Sequence, residues 1–293
     1  MIKIAIIGAT GNYGGKAIES LLQHGMNPND IVAIYRNEEK AAHLKGLGLE
    51  MSYGDYQSGH FGPEVFKGAE KLLFISGIDM DSFKRIQDHM VVIEAARKAG
   101  IQQIVYTGLA YPHKAKLGME DVHLATEHAI KASGIPYTFL RNTYYTEYFI
   151  VPQEMKRAVE SGKLYSLAQG RSINFVSRDD MAKAAAVVLT SDEHLNKIYE
   201  ITAPKTYSYQ DIANILTEVS GKNVEYVETT IEAYGAYLEE IGIPKEFQMW
   251  DSGMMQPGFA NGWGENTDSA LADLIGTENI KTPKQIIQEM NLN

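Results

Sequence analysis

The most constraining feature of this chain lies at its start. Ile2-Lys3-Ile4-Ala5-Ile6-Ile7 runs directly into Gly8-Ala9-Thr10-Gly11-Asn12-Tyr13-Gly14, and an amphipathic helical pattern follows. A buried strand, a glycine turn and a helix start in immediate succession open a βαβ unit. The glycines stand at G-x-x-G-x-x-G spacing, and each has a separate task. Gly8 permits the tight turn, Gly11 lets the backbone approach a bound group, and Gly14 allows the helix to pack closely on the strand. The free N–H groups and positive end of that helix suit a pyrophosphate. Gly8, Thr10, Gly11, Asn12, Tyr13 and Gly14 are therefore expected around the phosphates of a dinucleotide. A purely structural turn is the alternative, and the flanking strand and helix weigh against it. A strand starting at residue 2 leaves no room for a targeting segment, so a cytoplasmic protein is expected.

Apolar runs and amphipathic stretches alternate through the first two hundred residues. Strands are predicted over 2–7, 31–35, 49–53, 71–76, 103–107, 137–140 and 198–201. Helices are predicted over 15–24, 38–44, 83–99, 122–132 and 179–189, with Gly100 and Gly134 closing two of them. This rhythm predicts an α/β fold, a Rossmann-type doubly wound parallel sheet covered by helices on both faces. Residues 143–175 and 204–293 break the rhythm with Gly/Pro interruptions, aromatics and short helices. They are expected to form a smaller substrate lobe, leaving 1–142 and 176–203 as the dinucleotide-binding core. The cleft at the carboxyl edge of the sheet is the default site.

The chain has 293 residues, a formal net charge of −10 and no cysteine. That excludes disulfides, thiolate metal sites and cysteine nucleophiles, and argues against a nucleic-acid surface. No apolar run reaches membrane-span length. No metal-binding set stands out, and a monomer or homodimer is expected.

The second strand ends Ile34-Tyr35-Arg36-Asn37. An acid there would bind a ribose 2′-hydroxyl; this chain offers Arg36, whose guanidinium suits a 2′-phosphate. NADP(H) is therefore expected over NAD(H), with a plain surface arginine as the alternative. Gly54-Asp55-Tyr56 falls where the adenine would lie and Ser76-Gly77 where the ribose would lie, unless both are ordinary turns. Thr107, at the end of the fifth strand, joins the candidate cofactor residues.

Several longer segments carry a family resemblance. They are Gly8-Ala9-Thr10-Gly11, Ile34-Tyr35-Arg36-Asn37, Lys71-Leu72-Leu73-Phe74-Ile75-Ser76-Gly77, Val122-His123-Leu124-Ala125-Thr126-Glu127 and Ile135-Pro136-Tyr137-Thr138-Phe139-Leu140-Arg141-Asn142. Through Glu218-Val219-Ser220-Gly221-Lys222 and Leu274-Ile275-Gly276 the likeness spans nearly the whole chain. The chain resembles the atypical short-chain dehydrogenases of the NmrA-like group, in its branch of triphenylmethane and quinone reductases. The resemblance implies an NADPH-binding core, a small substrate lobe and reduction of a flat aromatic acceptor. Ordinary short-chain dehydrogenases use Ser, Tyr and Lys; here the Tyr-x-x-x-Lys positions match Leu124 and His128, and the serine's neighbourhood reads Tyr106-Thr107-Gly108. Without that relay, ketone chemistry is disfavoured. A triarylmethane cation needs no proton on reduction, and a hydroquinone anion collects its own from water.

Asn142, Tyr144 and His128 are the candidate catalytic residues. Asn142 leaves the sixth strand where a nicotinamide would sit and suits its carboxamide or the acceptor. His128 holds the ribose hydroxyls where Lys usually does, donates a proton, or is a surface histidine. His123 and Glu127, one helical turn apart, are placed to pair with each other. Tyr144, Tyr145, Tyr148 and Phe149 form either an aromatic wall for a flat substrate or interior packing. Met249, Trp250, Met254 and Met255, with Phe259 and Trp263, suit a promiscuous pocket, a mobile lid, core or a dimer surface. A redox sensor that binds NADPH with little or no catalysis is the alternative function.

Overall fold

The computed structural model describes residues 2–245, 256–290 and 292. Met249, Trp250, Met254 and Met255 lie outside them. The chain divides into two compact units: Met1–Pro112, Met119–Asn142 and Arg178–Ile201 form the first, and His113–Gly118, Thr143–Ser177 and Thr202–Asn293 the second. The expected division differs in the segment His113–Gly118 and at residues 176–177 and 202–203, all of which belong to the second unit.

The first unit runs β1 (Ile4–Ile7), α1 (Asn12–Gln23), β2 (Ile31–Tyr35), α2 (Glu38–Lys45), β3 (Glu50–Tyr53), β4 (Lys71–Ile75), α3 (Ser82–Ala99), β5 (Gln103–Leu109), α4 (Glu120–Ala132), β6 (Tyr137–Asn142), α5 (Arg178–Thr190) and β7 (Lys197–Ile201). Among the described residues, these strands form one sheet in the order β7-β6-β5-β4-β1-β2-β3. All pairs are parallel. The chain winds outward from β1 through β2 and β3, then returns to β4 on the other side. This order makes the sheet the Rossmann-type α/β architecture expected, and opens its crevice at the carboxyl ends of β1 and β4.

The central strands are apolar almost throughout because both sheet faces are covered. Every residue of β1 and β5 is buried. The strands β5 and β6 extend beyond the predicted Thr107 and Leu140, because parallel pairing continues to Leu109 and Asn142. Helix α1 starts at Asn12 instead of Gly15: extended Gly11 caps it, and Gly14 and Gly15 continue as helix. It packs Ala17, Ile18 and Leu21 inward, and the alanine-rich α5 buries Ala182, Ala184, Ala185 and Ala186. The Tyr13 hydroxyl donates to the Met181 carbonyl of α5 at 3.0 Å. Asp81 caps α3 by accepting from the N–H groups of Phe83 and Lys84, and Gly100 ends it at φ 77°.

The second unit holds three two-stranded pairings among its described residues: Tyr144–Tyr145 with Phe175–Val176, Ser172–Ile173 with Tyr207–Ser208, and Lys163–Ser166 with Glu225–Glu228. Its helices are not all short, contrary to the sequence expectation. Tyr209–Ser220 spans 12 residues, stabilised by a reciprocal Ser208–Asp211 capping box. Tyr144, Phe149, Tyr209 and Phe259 are among its fully buried side chains.

A Cβ on Gly14 would overlap the Gly8 carbonyl oxygen and lie 2.8 Å from its carbon and 2.9 Å from Ala9 Cα, whereas a Cβ on Gly15 meets nothing within 4 Å. The overlap involves backbone, which no rotamer change relieves. Gly14→Ala should therefore cost about 3 kcal/mol in urea unfolding, while Gly15→Ala should be neutral or stabilise by up to about 1 kcal/mol. Equal behaviour of the two variants would refute the close-packing role of Gly14.

Candidate cofactor groove

The groove begins where β1 ends. Gly8 takes φ 78°, and the Gly11 N–H donates back to its carbonyl at 2.9 Å. A Cβ on Gly11 would sit 3.2 Å from that oxygen, so the loop is shaped around the lack of a side chain there. Gly11 offers no side-chain cap and the first turn of α1 carries no acid. Helix-start amides lack intrahelical acceptors, so this turn suits an anion. Gly8, Gly11 and Asn12 are exposed and Thr10 is half-buried. Tyr13 is buried, its hydroxyl engaged by α5, so its side chain serves packing and only its amide can face phosphate.

At the end of β2, Arg36 is exposed, and its Nη1 donates to Gln57 Oε1 at 2.8 Å. Gln57 Nε2 donates to Asp88 Oδ2 at 3.1 Å. The Asp55 carboxylate accepts the Gln57 N–H at 3.0 Å and so caps its own turn. Arg36, Tyr56, Gln57, Gly77, Arg85 and Asp88 line a pocket of about 210 Å³ together with Lys84 and His89. Tyr56 has its phenol pKa raised by burial.

Beneath the ends of β4 and β5 lies a buried polar floor. The Ser76 N–H donates to Thr107 Oγ1 at 3.1 Å. Ser76 Oγ receives Arg85 Nη2 at 2.6 Å and the Tyr106 hydroxyl at 3.2 Å. Two incoming donors leave the Ser76 O–H to be donated in turn. Tyr106 OH also pairs with His123 Nδ1 at 3.0 Å. Behind it, the Gly77 N–H donates to His89 Nε2 at 3.1 Å. A backbone N–H can only donate, so His89 carries its proton on Nδ1 and gives it to Thr126 Oγ1 at 2.7 Å. Thr126 passes its own hydrogen to the Val122 carbonyl. Apart from the Arg85 guanidinium at its edge, the floor is uncharged. Burial, then the nearby Arg85 charge, lower the His89 pKa to about 3, and burial holds His123 well below its ordinary value. Burial pushes the Tyr106 phenol up to about 12.

A second buried assembly fixes the ends of β5, β6 and β7. Arg141 donates from Nε and Nη2 to both Glu127 oxygens, at 2.8 and 2.7 Å, and from Nη1 to Glu200 Oε1 at 2.9 Å. Its pairing with Glu127 raises its pKa further above the ordinary arginine value. Glu200 Oε2 accepts the N–H of Tyr111, which takes the left-handed φ of 45°. The next residue along β6 is Asn142, 3 % exposed. Its carbonyl accepts the Ala110 N–H at 2.9 Å, yet its side-chain Oδ1 and Nδ2 are buried with no hydrogen-bond partner among the described residues. A buried amide without partners costs stability unless a ligand supplies them.

The structure brings Gly8, Gly11 and Asn12 to one glycine turn, Ser76 and Thr107 to adjoining strand ends, and Asn142 to the end of β6. It separates others from these roles. His128 is exposed, about 140° around α4 from His123, on the outward side of the helix. His123 and Glu127 do not pair with each other; His123 meets Tyr106 and Glu127 meets Arg141. Tyr144 is 2 % exposed and packs edge-on against Phe149, Phe259 and Trp263. Tyr145 and Tyr148 are the half-buried members of the expected wall, with ring centroids 5.8 Å apart. No group of metal-binding side chains occurs among the described residues. Sequence reasoning missed Arg85, His89 and Tyr106. The available signal was His89 in register with the buried Val92, Ile93 and Ala96, a polar residue on an apolar helix face.

Residues 2–255 match the model of the NmrA-like family. The chain belongs to that family. It is 33% identical over 292 residues to quinone oxidoreductase 2 of Escherichia coli, covering 99% of each protein. The crystal structure of Citrobacter sp. triphenylmethane reductase complexed with NADP(H) matches 98% of this chain and 100% of its own, with TM-score 0.90 and 37% identity. The NADPH complex of the Escherichia coli NADPH-dependent quinone oxidoreductase matches 98% and 99%, with TM-score 0.87 and 32% identity. Among the described residues no helix is long and apolar enough to cross a membrane.

The neutral floor has a pH signature. Histidines folded with depressed pKa contribute stability that is complete above the unfolded value and lost as pH falls toward the folded value, about 3 for His89. Lowering pH from about 7 to about 5 should reduce unfolding free energy by on the order of 1–2 kcal/mol through His89. His89→Gln, although less stable at the higher pH, should show a smaller drop. An identical drop in both proteins would rule out the locked neutral His89.

Proposed function

We propose that this chain is an NADPH-dependent reductase of conjugated aromatic acceptors, either quinones or cationic triarylmethane-type dyes. The observation that carries the reading is the buried, unpartnered amide of Asn142 at the end of β6. A side-chain amide both donates and accepts, which complements the carboxamide of a nicotinamide. Bound NADPH supplies the hydride. The glycine turn holds the pyrophosphate through backbone amides, with Thr10, Asn12 and the Tyr13 amide beside it. Arg36 takes the 2′-phosphate, and Ser76, Gly77 and Thr107 present the polar end of β4 and β5 to the ribose. Asp55 acts through its turn, which carries Tyr56 and Gln57 to the adenosine pocket.

The protein groups orient the reactants and transfer no proton. Leu124 and His128 stand at the Tyr-x-x-x-Lys positions, and neither forms a relay: the one is aliphatic and the other faces outward. Tyr106 is enclosed, 0 % exposed, between Ser76 and His123. Such a site favours acceptors whose reduced forms need no enzymatic acid. Tyr145 and Tyr148 offer half-buried aromatic faces for a flat acceptor; Tyr144 supports them from the interior. The relatives named for quinone and triphenylmethane reduction agree with this chemistry. The reading includes a small-molecule acceptor, a monomer or homodimer, and a cytoplasmic setting.

Stopped-flow NADPH oxidation against a quinone, a triarylmethane dye, an azo dye and a ketone tests the proposal. Turnover of the quinone or the dye, with none of the ketone, is the expected pattern. Tight NADPH binding with no oxidation by any acceptor would replace the reductase with a redox sensor. Asn142→Leu should leave the melting temperature unchanged or raised, since the side-chain amide makes no hydrogen bond among the described residues, while lowering turnover by about tenfold or more. Retained turnover in that variant would remove Asn142 from the site. Arg36→Ala should weaken NADPH binding by about tenfold or more and leave NADH binding nearly unchanged.

A further inference from the structure

The pocket beside Arg36 contains a hydrogen-bonded chain that no role above requires. Arg36 Nη1 donates to Gln57 Oε1 at 2.8 Å, and Gln57 Nε2 donates to Asp88 Oδ2 at 3.1 Å. The polarity of this chain is fixed by its ends. A guanidinium only donates and an ionised carboxylate only accepts, so one orientation of the Gln57 amide alone satisfies both. Gln57 is also held through its backbone. Its N–H donates to Asp55 Oδ1 at 3.0 Å, and Asp55 exchanges two backbone hydrogen bonds with His60, at 2.9 and 3.1 Å. The Ser58 hydroxyl ties the same turn by bonding the Asp55 carbonyl and His60 Nδ1.

We infer that Gln57, oriented by Asp88, is a positioning residue that pre-sets the Arg36 guanidinium for a 2′-phosphate and so sets the preference for NADPH over NADH. The inference rests on the assignment of Arg36 to that phosphate. A long arginine side chain loses rotamer entropy on binding unless the group is already held. Gln57 holds it by Nη1, leaving the fork of Nε and Nη2 for bidentate contact with phosphate oxygens. The neutral amide also separates Asp88 from Arg36. A direct Asp88–Arg36 ion pair would occupy the fork and set a negative charge against the incoming phosphate.

Equilibrium titrations of NADPH and NADH, followed by calorimetry, test this in the parent, Arg36→Ala, Gln57→Ala and Gln57→Glu. Gln57 is an exposed loop residue, so its variants should fold, and a thermal melt confirms it. Gln57→Ala should weaken NADPH by about three- to tenfold and leave NADH within about twofold. Gln57→Glu should weaken NADPH further, because a carboxylate would grip Arg36 and repel the phosphate. NADPH affinity of Gln57→Ala equal to the parent overturns the inference. So does a parallel loss for both cofactors, which marks a general pocket defect. If Arg36→Ala weakens both cofactors equally, the phosphate assignment and the inference fall together. If Arg36→Ala separates them and Gln57→Ala does not, only the inference falls.

Discussion

The approach of Gly14 to the Gly8 carbonyl is the contact on which the carboxyl edge of the sheet depends. With no Cβ at position 14, α1 settles directly on the turn that follows β1. That seating lets Tyr13 reach the Met181 carbonyl on α5 and leaves extended Gly11 as a helix cap without a side chain. The first-turn amides thus converge on the crevice between β1 and β4. One side chain there would tilt the helix, and the anion-binding geometry, the α1–α5 packing and the access to the crevice would change together.

Charge is distributed around this edge with a clear division. Below Ser76 the polar groups are hydrogen-bonded and neutral, because two histidines are buried too deeply to ionise. The rim carries the charge, with Arg36, Lys84, Arg85 and Asp88 around the pocket beyond the end of β2. The Arg141 assembly is compensated internally, its guanidinium shared between two carboxylates. A buried ion pair of this kind adds little net stability over an apolar alternative. Here it ties α4 to the ends of β6 and β7, and with them the turn at Tyr111 and the backbone of Asn142.

Much of this was legible in the sequence. The continuous apolar strands, the glycine turn and the order of elements follow from local rules, and the sheet obeys them. Arg36, Ser76, Thr107 and Asn142 were singled out because strand ends are where an α/β sheet presents side chains, and each does stand at, near or just past a strand end. The rest depended on contacts between distant segments. Nothing local says that His89 faces Gly77, or that Glu127 prefers Arg141 to His123 one turn away. His128 lies on the outward side of α4, which a motif-spacing match does not register. Tyr144 and Tyr145 are neighbours, yet one is core and the other half-exposed. The alternation of a strand separates them, and sequence composition is blind to it.

The two compact units are interleaved along the chain. It passes between them after Pro112, Gly118, Asn142, Ser177 and Ile201. No single cut releases the second unit as a continuous piece. A lobe built this way cannot be exchanged between relatives as a cassette, either by recombination or by a protein engineer joining fragments. Divergence of the second unit must instead accumulate one substitution at a time within a shared framework.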